Sequence, residues 1–510
     1  FNYKILPWLL NLVIIVGVNV MKQKFVQTHR IDDVRVSVSN PSGLDITLFA
    51  NKDVPIDRNS LWETQAIASI SETISELGSD FFGDCGAVLR RAVLTPDFHK
   101  GSGIPVGTVL DAKGFVIPKC VGRDLNCAMR MIATDVSIDE FQSLGKALDN
   151  KLRHIYFEGG RDIPLDEDNR RNMLRHGLMG IDSKSKEGLW KYIPDDLTSQ
   201  CDYTHNLGSW DTDDTWMFED FIKGSGGKSR DAALGSIGGG NHFVEFQMVE
   251  DIMDKQAAYQ WGIKKDCISI MIHSGSLSLG SMVGDHFVDV AKKLYPSHIV
   301  RPNHDFYPLP LYGDKGHIGR QYLSALGLAS NFAVMNRLML GYMAIKALSE
   351  LLGRDVESNL IYDLSHNMLF PHDDGIIHRK GSSPAECDNN NSVFPDGHPV
   401  IIPGSMGDAS YVLKGQGNKD SLQSAPHGAG RVTARGEGRK ADMGELDKIR
   451  IVTKVDPDKI RPDIANEIRK NMMEEAPGNY KPVLPALETV RDANIAKPVS
   501  KMWPLLTIKG

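Results

Sequence analysis

Val121-Gly122-Arg123-Asp124-Leu125-Asn126-Cys127-Ala128-Met129-Arg130 sets a carboxylate and a thiol three residues apart, in a turn that follows a short β-branched run at 116–118. In such a turn Asp124 and Cys127 can face one point, and a thiolate can bridge two metal ions. Taken alone, this signal is weak, because a free cysteine is more often a small buried hydrophobe. The same layout recurs outward from this stretch. Residues 92–94 run into TPDFHKG at 95–101, 268–272 into HSGS at 273–276, and 360–364 into SHN at 365–367. Strands that stop in polar turns of ligand-type residues describe a site at one edge of a sheet. Residues 60–77 read as an amphipathic helix, with a capping-box pattern at Ser60 and Glu63, an apolar face of Ile67, Ile70, Ile74 and Leu77, and Gly78 as its stop. Residues 330–352 read as a second helix, rich in Leu, Met and Ala and ended by Gly353. Mixed helix and strand with no clean linker and no repeat predicts one large α+β catalytic domain. Residues 380–400 read as an insertion loop, and 416–426 and 434–442 as Gly- and charge-rich segments that wrap the site.

Composition narrows the function classes. The 510 residues are 41% hydrophobic and 24% charged, which excludes a largely disordered chain. With 58 Lys and Arg against 65 Asp and Glu, the formal charge is −7, so a nonspecific polyanion binder is excluded and any nucleic-acid contact is local. Six cysteines without a C-x-x-C pair point to a reducing compartment and a cytoplasmic location. The chain opens on Phe1, and its apolar run at 5–20 is interrupted by Pro7, Asn11, Gly17 and Asn19. That run falls short of the ~20 apolar residues that span a bilayer. Residues 1–20 are read as upstream translation or an N-terminal extension, with Met21 as the start of the catalytic domain at 21–510, and no membrane partner is expected.

Four histidines give the Asp-x-x-Cys turn its weight. His242 lies in GSIGGGNHFVEF, His273 in HSGS, His366 in SHN and His427 in HGAGR, each in a turn rich in Gly, Ser or Asn. Together with Asp124 and Cys127 they form a mixed N, O and S ligand set, which suits Mn, Zn or Fe over the all-oxygen preferences of Mg and Ca. Asp97 and His99 are read as an outer shell that orients those ligands, or as groups that satisfy local backbone. GSIGGGNH, IPGSMGDAS at 402–410 and HGAGR at 427–431 offer backbone N–H groups that can cradle a phosphate or nucleotide. Arg379 and Lys380 of HRKG, with Arg431 and Arg435, add cations for phosphates, or form a solvated basic loop.

DLNCAMR, GGGNHFVEF, HSGS, SHN, HRKG, IPGSMGDASYV and HGAGR occur in the order and spacing found in the RtcB-type RNA-splicing ligases, and on these motifs the chain is identified as a member of that family. The resemblance runs from about residue 30 to the final 504–510. It implies a ligase that joins RNA ends bearing a 2′,3′-cyclic phosphate or 3′-phosphate to 5′-hydroxyl ends, using GTP and two Mn²⁺ ions, in tRNA splicing or RNA repair. Carried over by motif, Cys127 bridges the two ions, Asp124 and His242 complete one site, and His273 and His366 complete the other. His427 becomes the guanylylated nucleophile. Asn241, Glu245, Asn367, Pro403, Gly404, Ser405, Met406, Ser410, Gly428, Ala429, Gly430, Tyr480 and Lys509 fall where the family holds the guanine nucleotide. RNA ends and GTP are the implied partners, with an accessory activating protein as a further candidate.

Departures from the family pattern are Leu277-Ser278 where Arg-Gly is usual after HSGS, Arg123 where an aromatic residue is common, and Ala128 where Gly is usual. The missing guanidinium at 277 implies altered binding of the RNA terminus. Two other readings of the same ligands are a metal-dependent phosphoesterase that activates water and a catalytically weakened RNA-end-binding paralogue.

Overall fold

A 37-residue helix, Gly316–Leu352, forms the inner layer on which the rest is arranged in the computed structural model, which describes residues 26–510 apart from 182–186, 211, 213–215, 225–228, 231–232, 434–437, 439–442 and 457–458. The reading of residues 1–20 lies outside the described residues. Among the described residues this helix alone is long and apolar enough to cross a membrane, yet 89% of its apolar window is buried inside protein. It is the core helix of a mixed α+β fold.

An eight-stranded sheet packs on it, with strands in the order Ser358–Ser365, Ala128–Ser137, Cys267–Ser274, Phe243–Ile252, Ala496–Ile508, Ser410–Gly415 and Pro399–Ile402, and with Ile451–Val452 parallel to Ala496–Ile508. Ile132, Ile270 and Ile272 point to the helix, and Met129, Met131, Ala133 and Met271 to the other face. Both faces are buried, which explains why these strands read as unbroken apolar runs. A second, seven-stranded sheet covers the far face through Val93 and Val109, and the helix Arg58–Phe82 closes the outside of that sheet with Ile67, Ile70, Ile74 and Leu77.

Antiparallel register brings the strand ends to one edge. Ser365 and Ser274 both pair with Ala128, Phe243 pairs with His273, and Val244 pairs with Ile508. Cys127, His242, His273, His366 and Lys509 are therefore neighbours, each within one residue of a paired position.

The structure corrects several boundaries. Helix Arg58–Phe82 is capped by Asp57, which accepts from the Ser60 N–H at 2.8 Å, so no capping box forms at Ser60 and Glu63. Glu63 instead accepts from the N–H groups of Gly101 (2.6 Å) and Gly103 (3.3 Å) and ties down the loop after His99. Gly78 leaves helical geometry (φ 57°, ψ −164°) and stops the first stretch as expected, and a second helical stretch runs on to Gly83. The second helix begins at Gly316, well before 330, and ends as expected at Gly353 in the left-handed conformation. Residues 380–400 are not one insertion loop: Lys380 ends the strand Gly375–Lys380, and Ser382–Pro384 and Pro399–Ile402 are strands. The strand pairing that absorbs them is long-range and leaves little local signal.

Candidate active site

At the sheet edge, four turns converge on Cys127. Its Sγ lies 3.3 Å from His242 Nε2 and 3.1 Å from His273 Nε2. His273 Nε2 lies 3.3 Å from His366 Nε2, and His242 Nε2 lies 2.7 Å from Asp124 Oδ2. The outer nitrogens settle the tautomers: Nδ1–H of His242 donates to the Ile237 carbonyl (3.0 Å) and that of His273 to the Asn241 carbonyl (3.1 Å). Both Nε2 lone pairs then face inward. Burial, with smaller contributions from the neighbouring histidines, holds His273 and His366 well below the ordinary imidazole range, so both are neutral. Burial first and the Asp124 charge second push the Cys127 thiol up. For Asp124, burial opposes ionisation, but the His242 contact outweighs it and holds the carboxyl below its usual range.

The donors crowd one small space, and Asp124 Oδ2, 2.7 Å from His242 Nε2, accepts no well-directed hydrogen bond. A thiol, three imidazoles and a carboxylate that share one small space fit a soft-to-borderline divalent metal. The turn is shaped to allow it. A Cβ on Gly275 would sit 2.4 and 2.6 Å from the two Asp124 carboxylate oxygens, so only glycine leaves room for that ligand.

The central helix holds the turns from behind. Arg337, buried in its apolar middle, donates to the carbonyls of Asn126 (2.8 Å) and Ser274 (3.2 Å) and pairs with Asp363 at 2.8 Å. Asn336 donates to the Ser236 carbonyl (2.9 Å) and Ser274 Oγ (3.1 Å) and accepts from the Gly235 and Ser236 N–H groups. These residues escaped the sequence reading. Their signal was a lone Asn-Arg pair within an otherwise apolar helix.

His427 borders the same cluster, with its ring centroid 4.8 Å from that of His366. Its Nδ1 lies 2.8 Å from Asp97 Oδ2, and Asp97 Oδ1 accepts from Thr95 Oγ1 at 2.6 Å. Burial opposes the ionisation of Asp97, but His427 and Thr95 outweigh it and keep the carboxyl below its usual range. The carboxylate takes Nδ1–H and leaves the lone pair on Nε2. Asp97 thus orients His427 and not the ligand cluster. His99, pushed by burial down to about 4, turns its Nδ1 to the Asp97 carbonyl (2.9 Å).

A single cleft of about 1570 Å³ joins this cluster to the end of the chain. Asn241, Glu245, Asn367, Pro403, Gly404, Ser405, Met406, Gly428, Ala429, Gly430, Tyr480, Lys380, Arg431 and Lys509 all line it. Lys509 is no frayed tail: it follows the strand Ala496–Ile508, its N–H donates to the Val452 carbonyl, and its Nζ lies 2.6 Å from the Gly240 carbonyl. Glu245, accepting from Gln247 at 2.6 Å and from Thr507, is pushed by burial up to about 7. Arg431 lies over the Tyr480 ring and pairs with Glu475.

Two candidates are placed elsewhere. Ser410 stands behind the lining, where its Oγ accepts from the Gly404 N–H (3.1 Å) and Gln247 (3.0 Å) and props the 403–406 turn. Arg379 is buried, stacks on Phe370 and bonds Ser424 Oγ and the carbonyls of Leu422 and Gln423, so it braces the strand before His427 and does not meet phosphate. Arg435 and most of 434–442 lie outside the described residues. Leu277 and Ser278, singled out in the sequence, line the cleft at the start of the helix Leu277–Leu294; lining residues absent from the sequence reading include Lys481 and, farther along that helix, Ser281, Gly284, Asp285 and Val288, which have no distinctive local pattern.

A second group, His205, Glu386 and His398, also gathers within ligand distance, outside the cleft. It differs in one respect: His398 Nε2 already accepts from the Glu386 N–H at 3.1 Å and its Nδ1 faces the Pro399 carbonyl at 2.9 Å.

A family model described as tRNA-splicing ligase RtcB matches residues 84–510. The tRNA-splicing ligase RtcB of Thermococcus kodakarensis is 31% identical over 462 residues, covering 83% of this chain and 88% of the relative. That of Nanoarchaeum equitans is 30% identical over 455 residues, covering 83% and 89%. RNA-splicing ligase RtcB homolog 1 of Entamoeba histolytica is 31% identical over 495 residues, covering 91% and 89%.

Proposed function

This chain belongs to the RtcB family of tRNA-splicing ligases, and from that premise we propose that it is a GTP- and manganese-dependent RNA ligase acting through a guanylylated His427. The observation that carries this reading is the His427–Asp97 pair, 2.8 Å apart, beside the gathered side chains of Asp124, Cys127, His242, His273 and His366 in one cleft. A phosphoesterase needs the metal cluster but not an oriented imidazole beside it.

Asp124, Cys127 and His242 would hold one metal ion, and Cys127, His273 and His366 the other. When bound, such ions neutralise phosphate charge and stabilise in-line displacement. His427 Nε2 attacks the α-phosphorus of GTP, a P–N bond forms, and pyrophosphate leaves. The Asp97 carboxylate holds Nδ1–H throughout and balances the charge that develops on the ring. An oxygen of the RNA 3′-phosphate then displaces the imidazole from that phosphorus and gives RNA-3′-pp-5′-G. Attack by the 5′-hydroxyl on the RNA-side phosphorus forms the phosphodiester and releases GMP, a far better leaving group than oxide. A 2′,3′-cyclic phosphate is first opened by water. In the far part of the cleft, the Lys509 ammonium suits the O6 and N7 acceptors of guanine and the Glu245 carboxyl its N–H edge.

Intact-mass measurement after incubation with GTP and Mn²⁺ tests the reading. The expected result is one GMP adduct per chain, discharged by RNA bearing a 3′-phosphate and lost in His427→Ala while bound metal is retained. Hydrolysis of RNA ends with no adduct in the wild type would overturn it in favour of the phosphoesterase.

A further inference from the structure

The helix Leu277–Leu294 forms one wall of the cleft through Leu277, Ser278, Ser281, Gly284, Asp285 and Val288, and the segment carrying Arg123 lies against it. At Gly284 the two are in contact range: an added Cβ would lie 3.6 Å from the Gly122 carbonyl oxygen and 3.8 Å from Arg123 Cα, ordinary van der Waals distances. The Arg123 side chain makes a two-pronged pair with Asp285 of the helix, Nε to Oδ1 at 2.8 Å and Nη2 to Oδ2 at 2.7 Å. Both partners stay open to solvent, with side chains 74% and 52% exposed.

We infer that Arg123 is a phosphate-binding residue for the RNA strand entering along this wall, held ready by Asp285 and passed from that carboxylate to an RNA phosphate. A guanidinium fork fits phosphate and carboxylate with the same two-bond geometry. An exposed pair of this kind favours the closed form by a factor of only about five or less, so a polyanion displaces it readily. The location is right for a strand whose terminal phosphate reacts at the cluster, because Arg123 directly precedes Asp124 in the chain. Nearby, Lys119 is committed by Nζ to the His304 carbonyl at 2.5 Å and Asp305 at 3.7 Å. The inference rests on the ligase reading for its ligand.

The test is equilibrium binding of a 5′-labelled single-stranded RNA ending in a 3′-phosphate to the full chain at several salt concentrations. Arg123→Ala should weaken binding about five- to tenfold and lower the slope of log K against log salt by about 0.7, the share of one phosphate contact on a single strand. Asp285→Asn should act in the opposite sense and tighten binding about threefold by releasing Arg123. That gain should vanish in the Arg123→Ala background. Asp289→Asn, on the same helix but off the cleft, controls for net charge and should change little. A purely structural pair would weaken binding from either side. RNA affinity within twofold of wild type in Arg123→Ala, or a gain from Asp285→Asn that survives without Arg123, would overturn the inference. Failure of the ligase reading shows separately, in a wild-type chain that neither takes up GMP nor binds the RNA.

Discussion

Two histidine clusters in this molecule have nearly the same composition and opposite characters. In the cleft, His242 and His273 give their outer N–H groups to carbonyls and turn lone pairs toward Cys127. Outside it, His398 uses both ring nitrogens on its own backbone surroundings, and His205 faces Glu386 at 3.6 Å. The first turns its imidazole nitrogens to one shared point; in the second, His398 has both ring nitrogens already engaged. Residue type and proximity do not make a metal site. The second nitrogen of each imidazole does.

The carboxylates repeat the contrast. Glu245, in the part of the cleft next to Lys509, is pushed by burial up to about 7. Glu386 meets the same opposition from burial, but the His205 contact outweighs it and holds its carboxyl far below the ordinary range.

The largest expected effect separates the two clusters by metal content. If the proposed two-metal centre holds, Cys127→Ala should lose both ions, because one thiolate would serve both sites, whereas His205→Ala should keep both. Elemental analysis of the purified variants checks this. Two ions per chain in Cys127→Ala would remove the bridging role, and a loss in His205→Ala would erase the distinction between the clusters.

Next comes the support that only the cleft cluster has. Arg337→Met strips a buried charge partner from Asp363 and two donors from the Asn126 and Ser274 carbonyls. Arg130 still faces Asp363 at 3.2 Å, so the cost should lie near the lower end of the ~3–5 kcal/mol typical of breaking a buried pair. Denaturant unfolding measures it.

The pH dependence of stability should then show opposite signs. The folded pKa of Glu245, about 7, stands above its ordinary 4.5, so the native state binds the proton more tightly than the unfolded chain. Relative to Glu245→Gln, wild-type stability is fully present below about pH 4.5 and falls as pH rises through 7, by up to ~3 kcal/mol. Glu386 is the reverse case: relative to Glu386→Gln, wild-type stability holds above its ordinary pKa and is lost on acidification. Unfolding midpoints at pH 5 and pH 8 decide the Glu245 case and those at pH 3 and pH 6 the Glu386 case, and shifts of the same sign in the two variants would break the comparison.

The smallest effect belongs to the outer cluster alone. His398→Gln removes the acceptor for the Glu386 N–H and the ring that stacks on Tyr362 (5.0 Å, 16°), a loss of about 1–2 kcal/mol with metal content and GMP uptake unchanged.

The chain's own order of residues determined that Asp124, Cys127, His242, His273, His366 and His427 stand in polar turns at the ends of β-branched runs, that the domain is mixed α+β, and that an apolar final segment ties down Lys509. These are local facts: turn chemistry, periodicity and hydrophobic patterning act over a few residues and can be read in one dimension. Which candidates meet was decided only by long-range pairing. Antiparallel register set Ser365, Ala128 and Ser274 side by side, and with them the ligands. The same pairing turned Arg379 inward, set Ser410 behind its turn and gave Asp97 to His427. It also sent Arg337 from the middle of an apolar helix to hold the turns from below, and left His398 with no lone pair to offer. A side chain's chemistry belongs to its residue type, but its direction and its hydrogen-bond partners belong to neighbours hundreds of positions away.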